Sequence, residues 1–182
     1  MKKLLLLLCF VFIHQVVYPV YFKHLGMSDG LSQVSVMSIY QDCLGRMWFG
    51  TREGVSIYDG ERMRVYKGWE NLDPKSSINV LLGHECDHLT GNRQGDIFFR
   101  TCDSLVRYDI REEKFCVVSG CKAKTITSAD GDIWTGYDDM VCRYDEKGDS
   151  LQLYAKTNTP GISSLLISGK KIWIGTYEGL YV

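Results

Sequence analysis

His84-Glu85-Cys86-Asp87-His88 is the run of this 182-residue chain whose residue types and spacing spell a reaction. It matches H-E-x-x-H, and Gly91 extends the match to H-E-x-x-H-x-x-G. On a helix, residues four apart share a face. Two imidazoles there could hold zinc while the glutamate activates a water. That reading makes an exported zinc metalloprotease; apart from it, His84, Cys86 and Asp87 could bind a metal adventitiously. The chemistry depends on the helix, so the surrounding elements decide it.

Those elements follow an internal repeat. Asp42-Cys-Leu-Gly45-Arg-Met-Trp48-Phe-Gly50-Thr51 leads to Gly54-Val-Ser-Ile-Tyr58-Asp59. Gly95-Asp-Ile-Phe98-Phe-Arg-Thr101 leads to Tyr108-Asp109, and Gly131-Asp-Ile-Trp134-Thr-Gly136 to Tyr144-Asp145. Lys170-Lys-Ile-Trp173-Ile-Gly175-Thr176 leads to Gly179-Leu-Tyr-Val182. The aromatic at Trp48, Phe98 and Trp134 stands three residues after a glycine and ten before a Tyr-Asp pair. Between repeats the spacing is loose, at 50, 36 and 39 residues. Strict cores with variable connections are what stacked supersecondary units produce.

Each unit reads as four short strands. In the first, these are Ser35 to Tyr40, Met47 to Phe49, Val55 to Tyr58 and Met63 to Tyr66. An Asp42-x-x-Gly45 turn and an Asp59-Gly60 hairpin signal stand between them. Nothing after the leader has sustained helical periodicity. The expected fold class is all-β, a β-propeller fragment of about 3.5 four-stranded blades that does not close. The blades are expected at approximately 34–67, 78–118, 122–154 and 161–182. Trp48, Trp134 and Trp173 are expected to pack between blades, and the Gly-Thr after them to make a tight corner.

The repeat weighs against zinc. Its register places Cys86 to Thr90 where Val36 to Tyr40 lies, in a strand. Residues four apart in a strand are about 13 Å apart. Zinc–nitrogen bonds are roughly 2.0–2.1 Å. Gln94 stands where the longer protease pattern wants a third histidine, and Asn92-Arg-Gln-Gly95 falls on a repeat turn. Accordingly no catalytic, metal or cofactor residue is assigned.

Met1-Lys-Lys3 followed by the apolar run Leu4 to Ile13 has the form of a signal peptide, expected over 1–20, with an uncleaved anchor as the rival. Export puts Cys43, Cys86, Cys102, Cys116, Cys121 and Cys142 in an oxidising compartment. Their spacing fixes no pairing. Cys116 and Cys121 could meet across a turn, or the cysteines could be buried thiols. The net charge of −1 gives no electrostatic reason to bind nucleic acid or an anionic membrane.

Phe22-Lys-His-Leu25, Asp29-Gly-Leu-Ser-Gln33, Val36-Met-Ser-Ile39, Trp48-Phe-Gly-Thr51, Gly54 and Tyr58-Asp-Gly60 together resemble the opening of a two-component regulator propeller. Such propellers form the N-terminal periplasmic sensor region of Bacteroidetes hybrid two-component histidine kinases. The resemblance implies a periplasmic sensor for an oligosaccharide ligand, no cofactor and no nucleic acid in this region. It implies further blades and downstream domains as partners, and a homodimer of the full-length protein at the inner membrane. No kinase residue has a counterpart here. Tyr21 to Leu25 is expected as an orphan strand that completes a distant blade. Without closure, the fragment is expected to be poorly soluble alone. A protein-binding scaffold is the other reading.

No ligand-binding residue is assigned. Candidate ligand loops are Gly68 to Ser77 and Thr157 to Gly161. Trp69 stands outside the repeat core. It is either a sugar-stacking ring or a cover for the blade edge.

Overall fold

A computed structural model describes residues 21–67, 85–102, 104–118, 120 and 122–182. The expected signal peptide, His84, Trp69 with its loop, and Cys121 lie outside these residues. The chain folds as successive antiparallel meanders, each strand pairing with the next. The first sheet is β1 (Val36–Gln41), β2 (Met47–Thr51), β3 (Gly54–Tyr58) and β4 (Met63–Tyr66). The second is β5 (Cys86–Gly91), β6 (Ile97–Thr101), β7 (Ser104–Asp109) and β8 (Lys114–Val117). The third is β9 (Thr125–Ala129), β10 (Asp132–Tyr137), β11 (Met140–Asp145) and β12 (Ser150–Lys156). Three strands make the fourth: β13 (Ile162–Ser168), β14 (Lys171–Thr176) and β15 (Gly179–Tyr181).

The turns form for local reasons. Asp42 Oδ1 accepts from the Leu44 and Arg46 amides at 3.0 and 2.9 Å, and Asn92 Oδ1 accepts from the Asp96 amide at 2.8 Å. Gly45 and Gly95 follow with φ of +80° and +91°, which glycine adopts without a Cβ clash. The aspartates of the Tyr-Asp pairs do the same one hairpin later. Asp59 Oδ1 accepts from the Glu61 and Arg62 amides, and Asp109 Oδ1 from those of Arg111 and Glu112.

The sheets stack face to face in an open arc, with β1 beside β5, β5 beside β9 and β9 beside β13. The first strands therefore lie innermost, as in a propeller. Because each sheet packs on its neighbours, central strands such as β10 are buried on both faces and read as apolar runs. The aromatics lie between the sheets. Trp48 meets Tyr108 of the second sheet edge-on at 4.9 Å, and Phe98 meets Tyr144 of the third at 4.8 Å. In the first two blades the repeated aromatic thus packs on the Tyr-Asp tyrosine of the next. Each such pair contributes roughly 0.5–1.5 kcal/mol beyond the area it buries.

One local expectation changes. The Gly of W-x-G-T lies within a strand, not at a corner. A Cβ on Gly50 would lie 2.4 Å from the Cys86 carbonyl oxygen of the next sheet, and one on Gly136 would lie 2.5 Å from Ile162 Cγ2. Glycine is needed because the neighbouring blade crosses there. Tyr21 to Leu25 is irregular and mostly exposed. The following Gly26 to Ser32 covers the first sheet, where the buried Ser32 amide donates to Ser56 Oγ at 2.9 Å and its hydroxyl meets Thr51 Oγ1 at 2.8 Å.

Candidate functional site

The H-E-x-x-H run enters the inner strand of the second blade. Glu85 is exposed just before β5, and Cys86 begins the strand, fully buried. Burial pushes its thiol up to about 12. The strand bulges between Asp87 and Thr90, where His88 takes a left-handed φ of +53°. Asp87 is occupied: Arg100 Nε donates to Oδ1 at 2.7 Å, Arg100 Nη2 donates to Oδ2, and His88 Nδ1 stands 2.9 Å from Oδ1. Burial alone would raise this carboxyl, but Arg100 and His88 outweigh it and hold it at about 2. Arg100 occupies the glycine position of W-x-G-T, so the second blade replaces a close approach by an ion pair. Five cysteines, Cys43, Cys86, Cys102, Cys116 and Cys142, are thiols rather than disulfide halves.

A cleft of about 380 Å³ opens where the turns of the second and third blades gather. Trp134 lies behind it, with Tyr154 edge-on at 4.7 Å and the Arg143 guanidinium over its ring at 5.6 Å. Arg143 pairs with Asp132 at 2.8 Å. Gln94 Nε2 donates to Glu146 Oε2 at 2.6 Å, and Gln152 Nε2 to Asp145 Oδ2 at 2.9 Å. The lining cations Arg93, Arg143 and Lys147 match the anions Asp132, Asp145 and Glu146, so the wall carries no net charge. Each planar side chain keeps further donors or acceptors. Tyr154 presents a ring that is 59% exposed.

A smaller recess of about 190 Å³ shares Gln94, Tyr144 and Glu146 with this cleft. Arg107 crosses it from β7. Its Nη1 donates to Asp96 and Asp109 at 3.0 and 2.9 Å, and its Nε donates to Asp149 at 3.2 Å. The Tyr144 hydroxyl donates to the same Asp149 at 2.6 Å, so burial and that bond raise the phenol above its ordinary range. This network ties the two blades together beneath the cleft.

At the opposite end of the blades stands the expected loop Thr157 to Gly161. The Thr157 amide donates to the Asp139 carbonyl at 2.8 Å, and the Ile162 amide to that of Asp138 at 2.9 Å. The loop borders a recess of about 200 Å³ lined by Lys124, Tyr137, Asp138, Gly161, Ile162 and Tyr177. Sequence reading reached this loop but missed the larger cleft, whose residues come from three separate turns. The one signal for it was the cluster of Asp, Gln and Arg at those turns.

No protein-family model matches the chain. A histidine kinase, P4, from Formosa agariphila is 39% identical over 59 residues, which is 32% of this chain and 4% of that protein. The extracellular domain of a hybrid two-component system from B. thetaiotaomicron superposes with a TM-score of 0.68 at 17% identity, over 87% of this chain and 21% of that domain. A second structure of an extracellular domain from B. thetaiotaomicron, described as part of a one-component system, gives 0.67 at 17% identity over the same shares. The chain therefore has the fold seen in these extracellular domains. It spans about a fifth of the solved domains and a small fraction of the kinase. Among the described residues no helix is long and apolar enough to cross a membrane.

Proposed function

We propose that the chain is the ligand-sensing part of an extracytoplasmic receptor of the two-component type, and that its ligand is a neutral oligosaccharide. The observation that carries the ligand class is the cleft between the second and third blades. Its charges cancel, its amides and carboxylates offer donors and acceptors in fixed planes, and Tyr154 offers a ring face. Hydroxyl-rich sugars need that combination: polar groups for vicinal hydroxyls and an aromatic surface for the C–H face of the ring. A charged ligand would leave one sign of the wall unmatched. The likeness to solved extracellular domains supports the sensor role. On this reading Leu4 to Ile13 directs export to the periplasm, and the whole protein, as a homodimer, passes occupancy to a cytoplasmic histidine kinase.

Calorimetric titration of the purified protein with a panel of neutral oligosaccharides tests this. At least one should bind saturably, with affinity unchanged between low and high salt because no net charge is paired. Tyr154→Ala and Gln94→Ala should each weaken it about tenfold, close to 1.4 kcal/mol. A panel without saturable binding, or binding indifferent to both substitutions, overturns the assignment.

A further inference from the structure

We infer that the recess between the third and fourth blades, framed by Tyr137 and Tyr177, is a second carbohydrate subsite that holds one pyranose unit. The inference takes its ligand class from the reading above and adds a site at the other end of the blades.

The repeat is broken in the third blade. The position after the W-x-G glycine is Thr51, Thr101 and Thr176 in the other three blades but Tyr137 in the third. In the first and fourth blades that threonine has a structural task. Thr51 Oγ1 donates to the Gly54 carbonyl at 3.0 Å and accepts from the Glu53 amide at 3.1 Å. Thr176 repeats both bonds, to the Gly179 carbonyl at 3.0 Å and from the Glu178 amide at 3.2 Å. The hydroxyl locks the hairpin turn from inside. Tyr137 cannot do this, so the third blade gives up a local hydrogen bond pair and gains a half-buried ring at the recess. The Lys122 ammonium lies 5.5 Å from the centre of that ring and helps fix it.

The second ring is held by a different device. Tyr177 is 77% exposed, a large apolar surface left in water. Yet its amide donates to the Gly161 carbonyl at 3.3 Å, and a Cβ on Gly161 would lie 2.5 Å from Tyr177 Cδ2. Gly161, with φ of +89°, lets the ring lie against the loop. An exposed aromatic buttressed in one orientation is preorganised for a flat partner.

Lys124 and Asp138 line the same recess. Their side chains make no hydrogen bond or ion pair among the described residues. They supply a donor and an acceptor beside two aromatic rings. The recess of about 200 Å³ has room for a single sugar ring, not for an extended chain. A pyranose fits this chemistry, with its axial C–H face on a tyrosine and its hydroxyls on the ammonium and the carboxylate.

The test is proton–nitrogen NMR of the labelled protein titrated with methyl β-glucopyranoside, methyl β-galactopyranoside and methyl α-mannopyranoside. At least one should give saturable shifts of the Asp138, Gly161 and Tyr177 amides. Tyr177→Ala should abolish these shifts. Tyr137→Thr, which restores the residue of the other blades, should also abolish them while leaving the melting temperature equal or higher. The inference is overturned if no probe shifts these amides, if the shifts survive both substitutions, or if Tyr137→Thr melts several degrees lower. The last result would make Tyr137 a packing residue. Shifts confined to Gln94 and Tyr154 would keep the proposed function and remove this subsite.

Discussion

Replacing Asp42 should remove a large part of the stability of the first blade. Its carboxylate, with a fully buried side chain, accepts four hydrogen bonds. Two come from the Leu44 and Arg46 amides. Two more reach Oδ2, from Arg46 Nε at 2.7 Å and from Trp48 Nε1 at 2.8 Å. In Asp42→Ala the two amides lie at a turn that water can reach, so their loss costs little. The indole N–H cannot follow, because Trp48 is fully buried against the second sheet. An orphaned buried donor costs about 1–3 kcal/mol. Arg46, nearly buried, loses its partner as well, and breaking such a pair from one side costs about 3–5 kcal/mol. The two penalties overlap, so the expected loss is about 3–5 kcal/mol, a large share of the 5–15 kcal/mol typical of a domain. Urea unfolding followed by tryptophan fluorescence measures it. A double-mutant cycle with Trp48→Phe isolates the indole bond and should give a coupling of about 1–2 kcal/mol. The carboxyl is also held below its ordinary range: burial alone would raise it, but Trp48 and Arg46 outweigh burial. Its contribution should therefore be full above the unfolded aspartate pKa and fade as pH falls below it. A loss under 1 kcal/mol, or zero coupling, would refute the view that this carboxylate organises the blade.

Asp87 gives a second acid-sensitive contribution. With its pKa at about 2 in the folded state against 3.8 unfolded, it should contribute about 2 kcal/mol above pH 4 and lose it between pH 4 and 2. Arg100→Gln should flatten that acid limb in urea midpoints measured across pH, and an unchanged slope would disprove the pairing. The glycines separate backbone from side-chain crowding. Gly50→Ala meets a carbonyl oxygen that cannot move away, whereas Gly175→Ala meets only the Ser164 hydroxyl at 2.3 Å, which can rotate. Gly50→Ala should cost about 1–3 kcal/mol and Gly175→Ala less. Equal losses in thermal melts would count against the close-approach account.

Much of the fold is local chemistry, and so it was legible. The Asp42 and Asn92 turns and the Asp59 and Asp109 hairpins form by side-chain bonds to amides two to four residues away. The ten-residue interval from Trp48 to Tyr58 fixes a hairpin, and its recurrence names the blade. The same register disposed of the helical reading of His84 to His88, since Cys86 to Gly91 is a strand. Tertiary structure decided the rest. Gly50 is needed because Cys86, 36 residues later, crosses it. Trp48 pairs with Tyr108, not with the Tyr58 of its own repeat. Tyr21 to Leu25 has strand-like residues, yet a strand exists only where a partner offers a ladder, and here none does among the described residues. The clefts were the least visible. Gln94 meets Glu146 across 52 residues because neighbouring sheets stack at the angle their packed side chains allow, and Gly161 meets Tyr177 because β13 and β14 pair at that end of the fourth sheet. Sequence sets which groups a blade carries to its ends. The angle between blades sets which of them share a site.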